Sequence, residues 1–197
     1  MNFLAHIYLS FDDPEITIGN FIADHIRGNK YGHLPDRVQK GILLHRAIDT
    51  YTDSHAIPRK SSKRLHHNYS HYSRVIVDIY YDHFLAKNWS EYSSIPLQDY
   101  VEGFYDLLEQ HYEILPLGTK RMMPYMLADN WLFNYSNLNG ISRVLNGMNR
   151  RTKNKSKMNF AILDLEAHYS DFENEFSAFF KELITFSRQK FNELCED

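Results

Sequence analysis

An all-α fold of about seven or eight helices is the architecture that this 197-residue sequence predicts. Three observations predict it. Alternating β-branched runs bounded by turn dipeptides, the mark of strands, are missing. Apolar residues recur instead at steps of three and four along most of the chain. Hydrophobic residues make up 43% and aromatic residues 15%, ample for one well-packed core. No internal repeat or Gly/Ser-rich linker divides the chain, so a single domain over residues 1–197 is expected.

Taken in order, a short helix fits residues 15–27. Pro35 is expected to open a second, running through "GILLHRAIDTYTD" (41–53) to about Ser54. A third, near 71–88, carries Ile76, Ile79, Tyr80 and Phe84. Pro96 reads as a first-turn proline with Ser94 as a nearby cap; Leu97, Val101, Phe104 and Leu108 form the stripe that follows, and Pro116 ends it. Shorter helices fit 120–136 and 138–149. The clearest stripe is the last: Ile162, Leu165, Tyr169, Phe172, Phe176, Phe179 and Leu183 step by three and four along one long helix.

Charge and composition exclude several function classes. A net charge of −3 is wrong for a uniformly cationic nucleic-acid binder, so no nucleic-acid partner is expected. No run approaches 18 apolar residues, so no membrane span is expected. The opening "MNFLAHIYLSFDDPE" lacks the basic start and cleavage site of a signal peptide, and Cys195 is the sole cysteine, which together suggest a soluble cytoplasmic protein. Locally the balance shifts. "RRTKNKSK" (150–157) holds five basic residues and no acid; without their charge the rest of a −3 chain stands near −8. Arg59, Lys60, Lys63 and Arg64 form a second cluster. Both read either as solvated loops or as docking surface for an acidic partner.

Several polar groups fall on helix faces that should be buried. At 100° per residue, Val38, Ile42, His45 and Asp49 lie within about 60° of one another, so an imidazole and a carboxylate share an apolar stripe. Burying an unpartnered carboxylate costs on the order of several kcal/mol. Asp78 and Asp82 share a line with His83 beside them, and His83 faces inward with Ile76 and Tyr80. Asn20, Asp24 and Arg27 share another line, away from Ile18, Phe21, Ile22 and His25; Asn2 and His6 make a further four-residue step. Mixed carboxylate and imidazole donors without a thiolate suit Mn²⁺, Mg²⁺, Fe²⁺ or Zn²⁺. An ion so held supports hydrolysis of a phosphoester, with spare carboxylates for proton transfer and Arg27 or Arg46 forking onto phosphate oxygens. No G-x-S-x-G or Gly-rich phosphate loop offers another chemistry.

The stretches "MNFLAHIYLS", "GNFIADHIRG", "GILLHRAIDTYTD", "DIYYDHFLAKNWS", "VLNGM" and "LDLEAHYSDFE" span residue 1 to about 173. With them the sequence resembles the bacterial acyl carrier protein phosphodiesterases. That resemblance implies a Mn²⁺-dependent hydrolase that removes 4′-phosphopantetheine from the serine of holo acyl carrier protein, and a divergent relative of the helical HD phosphohydrolases. Where those enzymes carry a His-Asp dipeptide, this chain has Asp24-His25 and Asp82-His83. Carried over by position, the ligand candidates are Asp24, His45, Asp49, His83 and Asp82. His6, Arg27, Arg46 and Asp78 are second-tier candidates for orientation, phosphate contact or proton transfer, and Asp53 is read as a surface residue near its helix end. Arg150, Arg151, Lys153 and Lys155 would belong to a cationic rim that receives the acidic carrier protein. Two other readings stay open: a metal phosphohydrolase for a small phosphoester, and a helical binding module whose buried acids are salt-bridged to Arg27 and Arg46.

Overall fold

A computed structural model describes residues 1–196, and in it the chain opens with a six-residue helix that periodicity does not reveal: α1 (Phe3–Tyr8). So short a helix has little stability of its own. It is held from outside by the buried Asp82 carboxylate, which accepts from Leu4 N–H at 2.7 Å and Ala5 N–H at 3.2 Å. Helix α2 (Pro14–Ile22) starts with Asp13 as its cap, accepting from Ile16 N–H at 3.0 Å, and Pro14 in the first turn. It stops before the predicted end and passes through a 3₁₀ turn at Ala23–His25.

Helix α3 (Asp36–Ser54) runs as predicted, with Pro35 just outside its first residue. It crosses α2 at close backbone range. A Cβ built on Gly19 would collide with the Val38 carbonyl, and one on Gly41 with the Ile16 carbonyl. Only hydrogen at both positions lets the two backbones meet.

The basic cluster at 59–64 lies on a helix and not in a loop. It belongs to α4 (Ala56–Tyr69), capped by His55. Helix α5 (Ser73–Lys87) is central and almost wholly buried. Helix α6 (Leu97–Gln110) follows Pro96, which sits at the cap position, so Ser94 makes no cap. Pro116 does not end α6 either. It precedes α7 (Leu117–Ala128), where a residue without a donor N–H is tolerated. The stretch predicted as one helix over 120–136 is broken by Asn130, whose φ of 42° is left-handed, giving a separate α8 (Trp131–Asn134). Helix α9 (Leu138–Arg151) is capped by Asn137, which accepts from Gly140 N–H at 2.9 Å.

The C-terminal stripe is also divided, into α10 (Ala161–Ala167) and α11 (Tyr169–Cys195), with His168 between them. A one-residue departure barely disturbs the apolar period, which is why spacing reads it as continuous. Eleven α-helices and no strand thus make up the described residues; the all-α class holds, and the count exceeds seven or eight through short or split elements.

The core is aromatic. Phe172, Phe176, Phe179 and Phe180 on α11 meet Tyr80, Tyr81 and Phe84 on α5, with Tyr80–Phe172 centroids 5.0 Å apart and Tyr81–Phe176 5.7 Å apart. One buried charge is anchored beside it. Glu175 on α11 takes a bidentate pair from Arg64 of α4 (2.8 and 2.9 Å), a bond from Ser61 and a Lys60 contact at 3.2 Å. Burial would raise the Glu175 carboxyl, but those donors outweigh it and hold the group below its ordinary value of 4.5. A depressed folded-state value means that the stabilisation is fully present above pH 4.5 and is lost as pH falls through the folded value. Removing one partner of a buried pair costs about 3 kcal/mol. Glu175→Ala should therefore lower the melting temperature by about 6–12 °C at neutral pH. The deficit should shrink in thermal melts taken below pH 4; an equal deficit at pH 3.5 and pH 7 would contradict this account.

Candidate metal centre

The glycine crossing of α2 and α3 sets two polar segments against each other. Asn20 follows Gly19 directly, and His45 stands four residues after Gly41. His45 Nδ1 lies 2.8 Å from the Asn20 carbonyl oxygen. On the other side α1 brings in His6, whose Nδ1 lies 2.8 Å from Asn20 Oδ1. The two imidazoles stack with centroids 4.0 Å apart and planes 17° from parallel.

Their Nε2 atoms point toward carboxylates. His6 Nε2 is 3.2 Å from Asp49 Oδ1; His45 Nε2 is 3.0 Å from Asp49 Oδ2 and 3.3 Å from Asp24 Oδ1. One ligand atom from each of His6, His45 and Asp49 lies within 4.8 Å of the others, close enough to share a cation. Asp24 reaches the same imidazole from the 3₁₀ turn after α2.

The electrostatics separate the two rings. Burial would lower His45, but Asp24 and Asp49 outweigh it and push it up to about 9. Burial, reinforced by the charge on His45, takes His6 down to about 4. Burial would raise Asp49, yet the adjoining His45 and His6 imidazoles and the charge on the Met1 amino group hold it far below the usual carboxylate range. Without an ion, His45 carries the balancing charge and His6 stays neutral. The buried His6 Nε2 then has no hydrogen-bond partner among the described residues, since its approach to Asp49 lacks hydrogen-bonding geometry. An orphaned nitrogen beside a carboxylate, with a second imidazole and a second carboxylate adjoining, is a donor set that fits a divalent ion.

Other candidates fall elsewhere. Asp82 is spent on the α1 N-terminus, and burial pushes its carboxyl up to about 7 against the Leu4 and Ala5 N–H donors. It positions the helix that carries His6. His83 donates from Nδ1 to the Tyr135 carbonyl (2.7 Å) and accepts at Nε2 from the Tyr169 hydroxyl (2.7 Å), so both ring nitrogens are engaged away from the cluster. Arg46 donates to the Gly28 carbonyl and lies over the Tyr31 ring, while Arg27 is exposed; neither lines the cleft above the cluster. The buried acids are therefore not salt-bridged to these two arginines. Asp78 does line the cleft, 3.3 Å from the Met1 α-amino nitrogen, and burial raises its carboxyl. Asp53 lines it too, paired with Arg74 at 3.6 Å.

That cleft, of about 1550 Å³, has an acidic floor containing Asp24 and Asp49 and a wall with five arginines: Arg74, Arg121, Arg143, Arg150 and Arg151. Sequence reading had not singled out the first three. The spacing of Arg143, Gly147, Arg150 and Arg151 along one face of α9 was the available signal. Lys153 and Lys155 stand exposed on the turn beyond. Among the described residues the lysines and arginines in ion pairs are Arg37, Lys60, Arg64, Arg74, Lys87 and Lys190, so Arg121, Arg143, Arg150, Arg151, Lys153 and Lys155 have no acidic partner.

Comparison with known proteins identifies the family. The model of the family described as acyl carrier protein phosphodiesterase matches residues 1–183. A relative of that name from Photorhabdus laumondii is 31% identical over 191 residues, covering 96% of this chain and 96% of its own. Another from Salmonella agona is 33% identical over 194 residues, covering 96% and 99%. A third, from Yersinia enterocolitica, is 29% identical over 191 residues, again covering 96% and 99%. No solved structure matches. No helix among the described residues is long and apolar enough to cross a membrane.

Proposed function

Because this chain belongs to the acyl carrier protein phosphodiesterase family, a family of hydrolases, we propose that it cleaves the phosphodiester between 4′-phosphopantetheine and the serine of holo acyl carrier protein. The products are the apo carrier protein and free 4′-phosphopantetheine. We assign the reaction to the His6, His45, Asp49 and Asp24 cluster, with a divalent ion, Mn²⁺ by preference, as its cofactor. The observation that carries the assignment is the buried His6 Nε2, orphaned and aimed at a carboxylate where a second imidazole and a second carboxylate converge.

When bound there, such an ion supplies Lewis acidity toward a phosphoryl oxygen and acidifies a water molecule. The chain's own residues supply the rest. Asp49 spans both imidazoles, one oxygen to each, and so fixes the donor spacing. Asp24 is more exposed to the cleft than Asp49 and orients the attacking water. Arg143 and Arg151 on the wall neutralise the non-bridging phosphate oxygens, where a guanidinium fork fits best. Asp78, raised by burial, is the carboxyl we assign to protonating the departing serine oxygen. A distant kinship with the helical HD phosphohydrolases is part of the same proposal. It rests on imidazoles and carboxylates from adjacent helices meeting at one point.

A protein substrate is favoured over a small phosphoester. The cleft of about 1550 Å³ exceeds the roughly 300–1,000 Å³ that encloses a small ligand, and its cations continue past the cleft onto the open turn with Lys153 and Lys155. The test is incubation of holo carrier protein with the enzyme and Mn²⁺, read by intact mass. Loss of the phosphopantetheine mass is expected. Unchanged mass across several holo carriers would refute the assignment, and equal turnover of a small pantetheine phosphodiester would transfer it to small substrates.

A further inference from the structure

The polar contacts of Asn20 define more than a buried amide. Its side chain is fully buried, and its Nδ2 donates to the His6 carbonyl at 2.8 Å and to Ser10 Oγ at 3.0 Å. Ser10 Oγ spends its own proton on the same carbonyl, at 2.9 Å, and so receives the amide as an acceptor. Two acceptors for Nδ2 fix which way the amide faces. Rotated by half a turn, its oxygen would meet the His6 carbonyl oxygen, two acceptors with no proton between them. Oδ1 therefore faces His6 Nδ1 at 2.8 Å, and that nitrogen must hold the proton. The Asn20 carbonyl does the same to His45. A carbonyl only accepts, so His45 Nδ1, 2.8 Å away, is also N–H. The carbonyl is free for this because Asn20 lies in the last turn of α2, where main-chain oxygens leave the helical ladder.

We propose that Asn20 is the positioning residue of the centre: one residue, through its side chain and its main chain, holds a proton on Nδ1 of both imidazoles. Both Nε2 atoms are thereby directed toward the carboxylates, and the neutral His6 presents a lone pair. Asn20 touches neither substrate nor ion and acts through the two rings. The inference rests on the proposed metal site for its purpose, but the His6 tautomer itself is a property of the ion-free protein.

The experiment uses ¹⁵N-histidine-labelled full-length protein, with chelator and then with Mn²⁺ or diamagnetic Zn²⁺. In the ion-free wild type, His6 should show a protonated Nδ1 and an unprotonated Nε2. An Nε2–H tautomer for His6 there overturns the proposal with no variant needed. Asn20→Leu, close in size but without donor or acceptor, should let the proton move to Nε2, where Asp49 can accept it. Its Mn²⁺ affinity should fall by about 10- to 100-fold, the usual consequence of losing a partner behind a ligating imidazole. The decrease should appear in kcat, with KM for carrier protein little changed. Asn20→Asp keeps the acceptor toward His6 Nδ1 and should recover most of the affinity. Leu and wild-type proteins with the same tautomer and Mn²⁺ affinity would also overturn it. If wild type binds no ion yet shows the Nδ1–H tautomer, the metal reading fails and the Asn20 clamp stands.

Discussion

Asp49→Ala should reduce kcat by at least about 10³-fold, the effect expected when several kcal/mol of transition-state charge stabilisation is removed. Asp49 is the carboxylate that meets both imidazoles, Oδ1 at 3.2 Å from His6 and Oδ2 at 3.0 Å from His45. Without it the nitrogens have no common acidic partner, and the remaining carboxylate, Asp24, reaches only His45. Manganese retained after desalting, measured by elemental analysis, should fall to background in the variant. Chelation of wild type should mimic the loss and Mn²⁺ should reverse it, whereas the variant should not recover. Asp49 is 41% exposed at its side chain, so the variant should still fold. Activity within tenfold of wild type would remove the carboxylate, and with it the proposed centre, from the chemistry.

The second large effect concerns encounter. Changing Arg150, Arg151, Lys153 and Lys155 together to Ser should lower kcat/KM for the carrier protein by about 10- to 100-fold at low salt. These cations have no acid to neutralise among the described residues, so their field is available to an acidic partner. The field is screened over about 8–10 Å at physiological ionic strength. Wild-type kcat/KM should therefore fall steeply as salt is raised, the variant's curve should be nearly flat, and the two should converge. Parallel salt curves would show that the turn after α9 takes no part in docking.

How much of this could be read from residues alone depended on the length scale of each feature. Helix α3 was legible because nineteen residues carry several periods, with His45 on its buried stripe and Asp49 at the edge of that stripe. The inward face of α5 was equally legible, but the destination of its acid was not. Periodicity states that Asp82 is buried; it does not state that a six-residue helix presents bare N–H groups there. His83 raised the same difficulty, since a carbonyl from Tyr135 and a hydroxyl from Tyr169 reach it from distant parts of the chain. His6 was placed in the second tier because α1 is too short to show a pattern. The pairing of Lys60 and Arg64 with Glu175 was not legible because nothing local marks that partner, 111 residues beyond Arg64. Asn20 was assigned to a polar line although it is fully buried, because only tertiary contacts supply its two imidazoles.

A narrow tolerance next to the centre falls on two residues that carry no chemistry. Gly19 and Gly41 meet where α2 passes α3, and a single methyl at either would strike main chain instead of a yielding side chain. The elements would have to separate, withdrawing Asn20 and Asp24 on one side from His45 and Asp49 on the other. A displacement near 1 Å can cost about 10²-fold in rate. Inherited changes at these two positions would thus silence the enzyme while every reactive group remained in place. In a survey of natural variants, the identities at 19 and 41 would separate working copies from inert ones as sharply as the histidines do.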